Sequence, residues 1–217
     1  MSKKSHNNSL FTRPLGLLTG STLLLAAPLA MAHHPMGGAI PSTLGEGLLS
    51  GFGHPIIGVD HFAFLLVAAL LSFTLSGKAR YLVPLAFVGA TVGGTLYHLG
   101  AADLPLTETV IALSALFGGL AVLLKRSASA LLMAGLFAFF GVFHGYAYGE
   151  AIIGAEQTPL LSYLVGFAMI QYSVIAGGIK VLEYLEERSS RLQSLTTRAG
   201  GLFATVTGTL FLGLSFT

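Results

Sequence analysis

The chain has 217 residues, of which 53% are hydrophobic and 9% charged, with a formal net charge of +2. At a mean hydropathy of +0.79 it has no room for a separate soluble domain and reads as a polytopic membrane protein with one membrane domain. The small positive balance does not imply nucleic acid, and the absence of cysteine excludes disulfides, thiolate metal sites and cysteine nucleophiles, leaving nitrogen and oxygen as the only metal ligands.

Residues 1–32 have the three parts of a secretory signal: basic Lys3, Lys4 and Arg13, an apolar core from Leu15 to Leu29, and an Ala30-Met31-Ala32 cleavage triplet. Cleavage after Ala32 makes His33-His34 the new terminus, where a free amine and an imidazole together chelate a divalent cation. The competing reading is an uncleaved first membrane helix followed by two solvated histidines. Residues 33–217 then form the single membrane domain.

The next segment, His54-Pro-Ile-Ile-Gly-Val-Asp60-His61, puts two imidazoles and a carboxylate at the mouth of Phe62 to Leu75, a run without a charged residue. Ionisable groups at membrane depth are costly, so function is sought here first. On an unbroken helix His54 and His61 lie two turns apart on nearly one face, with Asp60 about 100° away from His61. Pro55 and Gly58 argue for a break, with Pro55 in the first turn of a restarting helix, His54 near its cap, and Gly58 admitting a close backbone or ligand. Imidazole with carboxylate suits the later first-row divalent metals, nickel and cobalt among them, and suits magnesium or calcium poorly. Asp60 can instead hold His61 in one tautomer.

After Ala32, six hydrophobic segments are separable, at about 56–76, 81–102, 105–124, 128–148, 159–182 and 199–216. Each has roughly the 20 residues a spanning helix needs, and no alternation of a β-barrel is present, so the expectation is an all-α membrane protein with six transmembrane helices. The polar stretch Glu183 to Arg198 is a linker, with Glu187 and Arg191 at a favourable helical spacing. All the lysines and arginines after the signal, Lys78, Arg80, Lys125, Arg126, Lys180, Arg188, Arg191 and Arg198, fall on one side of this map. The positive-inside rule makes that side cytoplasmic and places both mature termini outside, in a bacterial inner membrane.

The opposite side receives Glu46, Asp103, Glu108, Glu150 and Glu156, a face that concentrates cations. His33, His34, His54 and His61 precede or open the first helix, and His98 and His144 sit near the outer ends of the second and fourth. One shared metal site or entry path explains this one-sidedness. The alternative is the ordinary preference of histidine for an interface.

His54-Pro55-x-x-Gly58-x-Asp60-His61, following a signal that ends near Ala32, resembles the signature of the HupE/UreJ family of hydrogenase and urease accessory proteins and metal permeases. Phe143-His144-Gly145-Tyr146-Ala147-Tyr148-Gly149-Glu150 resembles that family's fourth-helix pattern, a His-Gly pair followed by an acid. The related nickel/cobalt permeases carry a similar His-x-x-x-x-Asp-His motif, one residue shorter than here. The resemblance implies uptake of Ni2+, with Co2+ or Fe2+ as other cargoes, for metalloenzyme assembly, and maturation proteins as partners on the cytoplasmic side. Members often carry a histidine where this chain has Tyr148, which alters a ligand or the metal preference.

The glycines at 141, 145 and 149, and those at 89 and 93, form small-residue faces for helix packing. Gln171, Tyr172 and Ser173 interrupt the fifth helix, as a pathway lining or as interhelical hydrogen bonds. Met133 and Met169 read as core filler. No phosphate loop is present, so the chain does not use ATP by itself. The membrane potential supplies about 2.3 kcal/mol per charge at roughly 100 mV, and proton antiport through the histidines is the rival drive.

Two functions remain open. The first is a divalent-metal permease with His54, Asp60 and His61 as the main site, His98 and His144 extending it, and Glu150, the other outer carboxylates and His33 gathering the ion. The second is an intramembrane metal-dependent hydrolase with the same ligands, which would lack a His-Glu-x-x-His helix and have Glu150 as its base.

Overall fold

Thr43 starts the first helix: its hydroxyl accepts from the Glu46 N–H while the Glu46 carboxylate accepts from the Thr43 N–H, a reciprocal capping box. The computed structural model describes residues 39–100 and 103–216, so the expected signal segment, His33 and His34 lie outside the described residues. The described residues fold as helices joined by short turns, with no strand among them.

In chain order these helices are α1 (Leu44–Ile57), α2 (Val59–Phe73), α3 (Ala79–Leu82), α4 (Pro84–Gly100), α5 (Thr107–Leu123), α6 (Ala130–Glu150), α7 (Gln157–Arg188) and α8 (Ser190–Leu214). The pair α1 and α2 is bent by 77° at Gly58. Helix α4 packs on α6, α5 on α8, and α1 on α7, while α2 runs through the middle and touches α5, α7 and α8.

The expectation of six spanning helices is corrected. Three helical segments, Ala79–Gly100, Ala130–Glu150 and Gln157–Arg188, are long and apolar enough to cross a membrane, and a fourth is added if α1 and α2 count as one bent span. Helix α5 is apolar but has 17 residues, and at about 1.5 Å per residue it falls short of a hydrocarbon core of roughly 30 Å. Helix α8 is long, at 25 residues, but it carries Arg191 and Arg198 early and is diluted by glycine and threonine.

Helix α1 is the element that the sequence reading placed too late. Two of its glycines form a contact face: a Cβ at Gly47 would meet the Pro159 carbonyl and the Ser162 hydroxyl of α7, and one at Gly51 would meet the Tyr163 carbonyl. Small residues let two helix backbones approach closely, and the packing that results offsets the poor helix propensity of glycine.

The same device joins α4 to α6. Gly145 lies against the Thr91 carbonyl, Gly141 against that of Phe87, and Gly149 against His98, while the Thr95 hydroxyl donates to the Gly145 carbonyl at 2.7 Å. The expected face at Gly89 and Gly93 is not used, since a Cβ at either would meet nothing; Gly94 is the residue on α4 that packs, against the Val142 carbonyl.

The core around α2 contains Phe64, Leu65, Val67, Ala68, Phe87, Phe137, Ile175 and Ile179, all buried. Met133 belongs to it, whereas Met169 is exposed and is not core filler. Below this core Glu183 of α7 accepts from Arg80 at 2.9 Å, Tyr81 at 2.8 Å and Lys180 at 3.0 Å, tying α3 to α7. The expected Glu187–Arg191 pairing is interrupted by the helix break at Ser189, whose hydroxyl caps α8 instead.

Candidate functional site

The break at Gly58 creates the site. Gly58 ends α1 and precedes α2 with φ −67° and ψ 102°, so His54 sits in the last turn of one helix and Asp60 and His61 in the first turn of the next. Pro55 therefore belongs to the end of α1 rather than to the start of the restarting helix. Gly58 does admit a close neighbour, and that neighbour is His61: a Cβ would stand 2.7 Å from the imidazole Cδ2.

His54, Asp60, His61 and His144 are all at most 2% exposed. Burying imidazole is costly unless its nitrogens are hydrogen-bonded. His61 Nδ1 lies 2.8 Å from His144 Nδ1, and His144 Nε2 lies 3.0 Å from the Ser114 hydroxyl on α5. That hydroxyl spends its proton on the Ile111 carbonyl at 2.6 Å, so it accepts from His144. With one proton on each neutral ring, His144 carries its proton on Nε2, His61 donates Nδ1–H to it, and Nε2 is the unprotonated nitrogen of His61.

His54 is oriented in the same way. The Tyr163 hydroxyl of α7 donates to the Tyr148 carbonyl at 2.8 Å and lies 3.0 Å from His54 Nδ1. It accepts from His54 Nδ1–H, and Nε2 is again the unprotonated nitrogen. The His54 and His61 rings meet edge to face at 5.8 Å between centroids, and the Tyr148 ring packs against both, at 5.0 and 4.5 Å. The Tyr148 hydroxyl is buried with no hydrogen-bond partner.

Asp60 is held differently. Its Oδ1 accepts from the His61 backbone N–H at 2.8 Å, so its charge sits at the positive end of α2, where the helix dipole favours it. The group bonded to Nδ1 of His61 is thus His144, not Asp60.

The chain matches the HupE / UreJ protein family over residues 21–211. It belongs to the HupE/UreJ family. It is also 28% identical over 198 residues to Protein HupE of Rhizobium leguminosarum bv. viciae, an alignment covering 90% of this chain and 97% of that protein. No solved structure matches.

In this HupE/UreJ chain the expected site residues separate into two groups. His54, Asp60, His61 and His144 come together around the α1–α2 break. His98 and Glu150 line a different cavity of about 330 Å³ with Asp103, Thr107, Glu108 and Tyr146. There His98 Nδ1–H donates to the Tyr146 carbonyl at 2.7 Å, and the two rings stack at 4.0 Å.

Among the described residues, no group of three or more His, Cys, Asp or Glu is arranged to hold a metal ion. The sequence reading missed Ser114 and Tyr163, which orient His144 and His54. Neither lies near a histidine in sequence, and Ser114 is an ordinary serine in an apolar run. Gln171, singled out as an interruption, is fully buried with no hydrogen-bond partner on its amide, while Tyr172 bonds the Tyr81 carbonyl at 3.3 Å.

Proposed function

We propose that this HupE/UreJ chain is a permease that moves a divalent transition metal ion inward across a bacterial inner membrane. Nickel is the leading cargo, with cobalt and iron as the others that the same donors accept, and the ion supplies metalloenzyme assembly such as that of hydrogenase or urease. The observation that carries this reading is the arrangement of the buried imidazoles: His144 has both nitrogens within hydrogen-bond distance of a partner, 2.8 Å from His61 Nδ1 and 3.0 Å from the Ser114 hydroxyl, and His54 Nδ1 lies 3.0 Å from the Tyr163 hydroxyl, an arrangement in which the Nε2 atoms of His54 and His61 are the nitrogens left to face an ion. Metal-binding histidines use one nitrogen for the ion and the other for an orienting partner.

His54 and His61 are the ligands in this proposal, Asp60 supplies the charge, and His144 is a positioning residue. The cavity of His98, Asp103, Glu108 and Glu150 gathers cations before they reach the histidines. The turn carrying Lys78 and Arg80, which follows the bent α1–α2 pair, is placed on the cytoplasmic side by its charge in this proposal, and the ion is handed to maturation proteins there.

The test is uptake into proteoliposomes holding an inside-negative potential, with nickel, cobalt and ferrous iron offered separately. Wild type accumulates nickel, and His54→Ala and His61→Ala do not. If none of the ions moves but metal-loaded protein cleaves a substrate, the hydrolase reading replaces this one. An Asp60→Asn variant that transports normally removes Asp60 from the site, and a lumenal pH dye separates a facilitator from a proton antiporter.

A further inference from the structure

An apolar cavity of about 390 Å³ lies between α2, α5 and α6, apart from the histidine cluster but sharing a wall with it. Its lining begins at Ser114, the partner of His144, and at Phe64, whose ring is 4.8 Å from the His144 ring. It follows α5 for two turns to Ala121, about 10 Å, and ends at Arg126 and Ser127 in the α5–α6 turn. Val67 lines it too, and the exposed apolar side chains of Phe117 and Leu136 stand at its rim.

The backbone of the turn at its polar end is fixed, with Arg126 lining the cavity and Lys125 next to it in the exposed turn. The Arg126 N–H donates to the Ala121 carbonyl at 2.8 Å and the Lys125 N–H to the Val122 carbonyl at 3.1 Å, a Schellman closure of α5. The left-handed position of that closure normally takes glycine, yet here it is Lys125, with φ 52°. Among the described residues the ion pairs are those of Glu183 with Arg80 and Lys180, so Lys125 and Arg126 have no acidic partner there.

We propose that this groove binds one anionic phospholipid, its acyl chain along α5 and its phosphate at Lys125, Arg126 and Ser127. The charge decides the occupant: an apolar trough open to the bilayer takes an acyl chain, and two cations with a hydroxyl at the membrane surface select a phosphate that carries net negative charge. The bound chain fills the wall behind Phe64 and Ser114 and so supports His144. This site is independent of which ion, if any, the histidines carry.

The full chain is placed in nanodiscs of equal phosphatidylglycerol and phosphatidylcholine, released into mild detergent and weighed by native mass spectrometry. Wild type keeps a single phosphatidylglycerol. The double variant Lys125→Gln, Arg126→Gln loses the preference for it by roughly thirtyfold, from about 1 kcal/mol for each basic residue at a membrane surface. Ala121→Trp, which fills the groove, loses the adduct, and Leu136→Trp at the exposed rim does the same if the first does not fold. The proposal is overturned if wild type keeps no lipid or keeps phosphatidylcholine equally well. It is equally overturned if the charge variant, or a folded groove-filling variant, retains phosphatidylglycerol as wild type does.

Discussion

His61 and His144, 83 residues apart in the chain, meet Nδ1 to Nδ1 at 2.8 Å. One ring must donate and the other accept, so the contact is a proton-counting device as well as a packing contact. Because the Ser114 hydroxyl accepts a hydrogen bond from His144 Nε2–H, the direction of the bond is set from α5.

His61→Ala is expected to abolish nickel binding, whereas His144→Ala should weaken it by about 10- to 100-fold, the usual effect of losing an orienting partner. Calorimetric titration of the detergent-solubilised protein measures both. Equal losses in the two variants would make His144 a ligand.

The two buried tyrosines should behave in opposite ways. Tyr163→Phe removes the one hydroxyl that His54 Nδ1 and the Tyr148 carbonyl share, at a cost of about 1–3 kcal/mol. Tyr148→Phe removes a hydroxyl with no hydrogen-bond partner and should leave the unfolding temperature unchanged or raise it. Thermal unfolding in detergent compares them, and a fall in nickel affinity of Tyr148→Phe at full stability would place that hydroxyl on the ion.

Two glycines on facing helices make a second contrast. Gly145→Ala drives a methyl into the Thr91 carbonyl and should separate α4 from α6, lowering the unfolding temperature and accumulating misfolded protein. Gly93→Ala meets nothing within 4 Å and should stabilise the helix by roughly 0.5–1 kcal/mol.

Gly58→Ala tests the break itself. The new methyl would press on the His61 ring at 2.7 Å, while the backbone at φ −67° tolerates alanine. Uptake and nickel affinity should fall with little change in unfolding temperature. An unaltered affinity would show that the ring can move without consequence.

Much of this was legible along the chain. Low charge and recurrent apolar runs determine a helical membrane protein, since a backbone in lipid must satisfy its own hydrogen bonds, and Pro55 with Gly58 announces a break beside two histidines and an aspartate. The number of spanning segments was not legible, because α5 and α8 differ from spans only by a residue or two and by a few threonines, glycines and arginines. Helix α1 was hidden for a related reason: Gly47 and Gly51 weaken a helix in isolation and strengthen it only when α7 is beside them.

The sequence by itself determined the chemistry on offer, nitrogen and oxygen donors gathered about one break in an apolar chain. Only the tertiary structure decided how those donors are divided. It sent His98 and Glu150 to a cavity and joined His54, His61 and His144 in a buried cluster, and through Ser114 and Tyr163 it chose which nitrogen of each ring keeps its proton. Local spacing reaches a few turns along one helix, whereas the tautomer of a buried imidazole depends on a hydroxyl that arrives on a different helix.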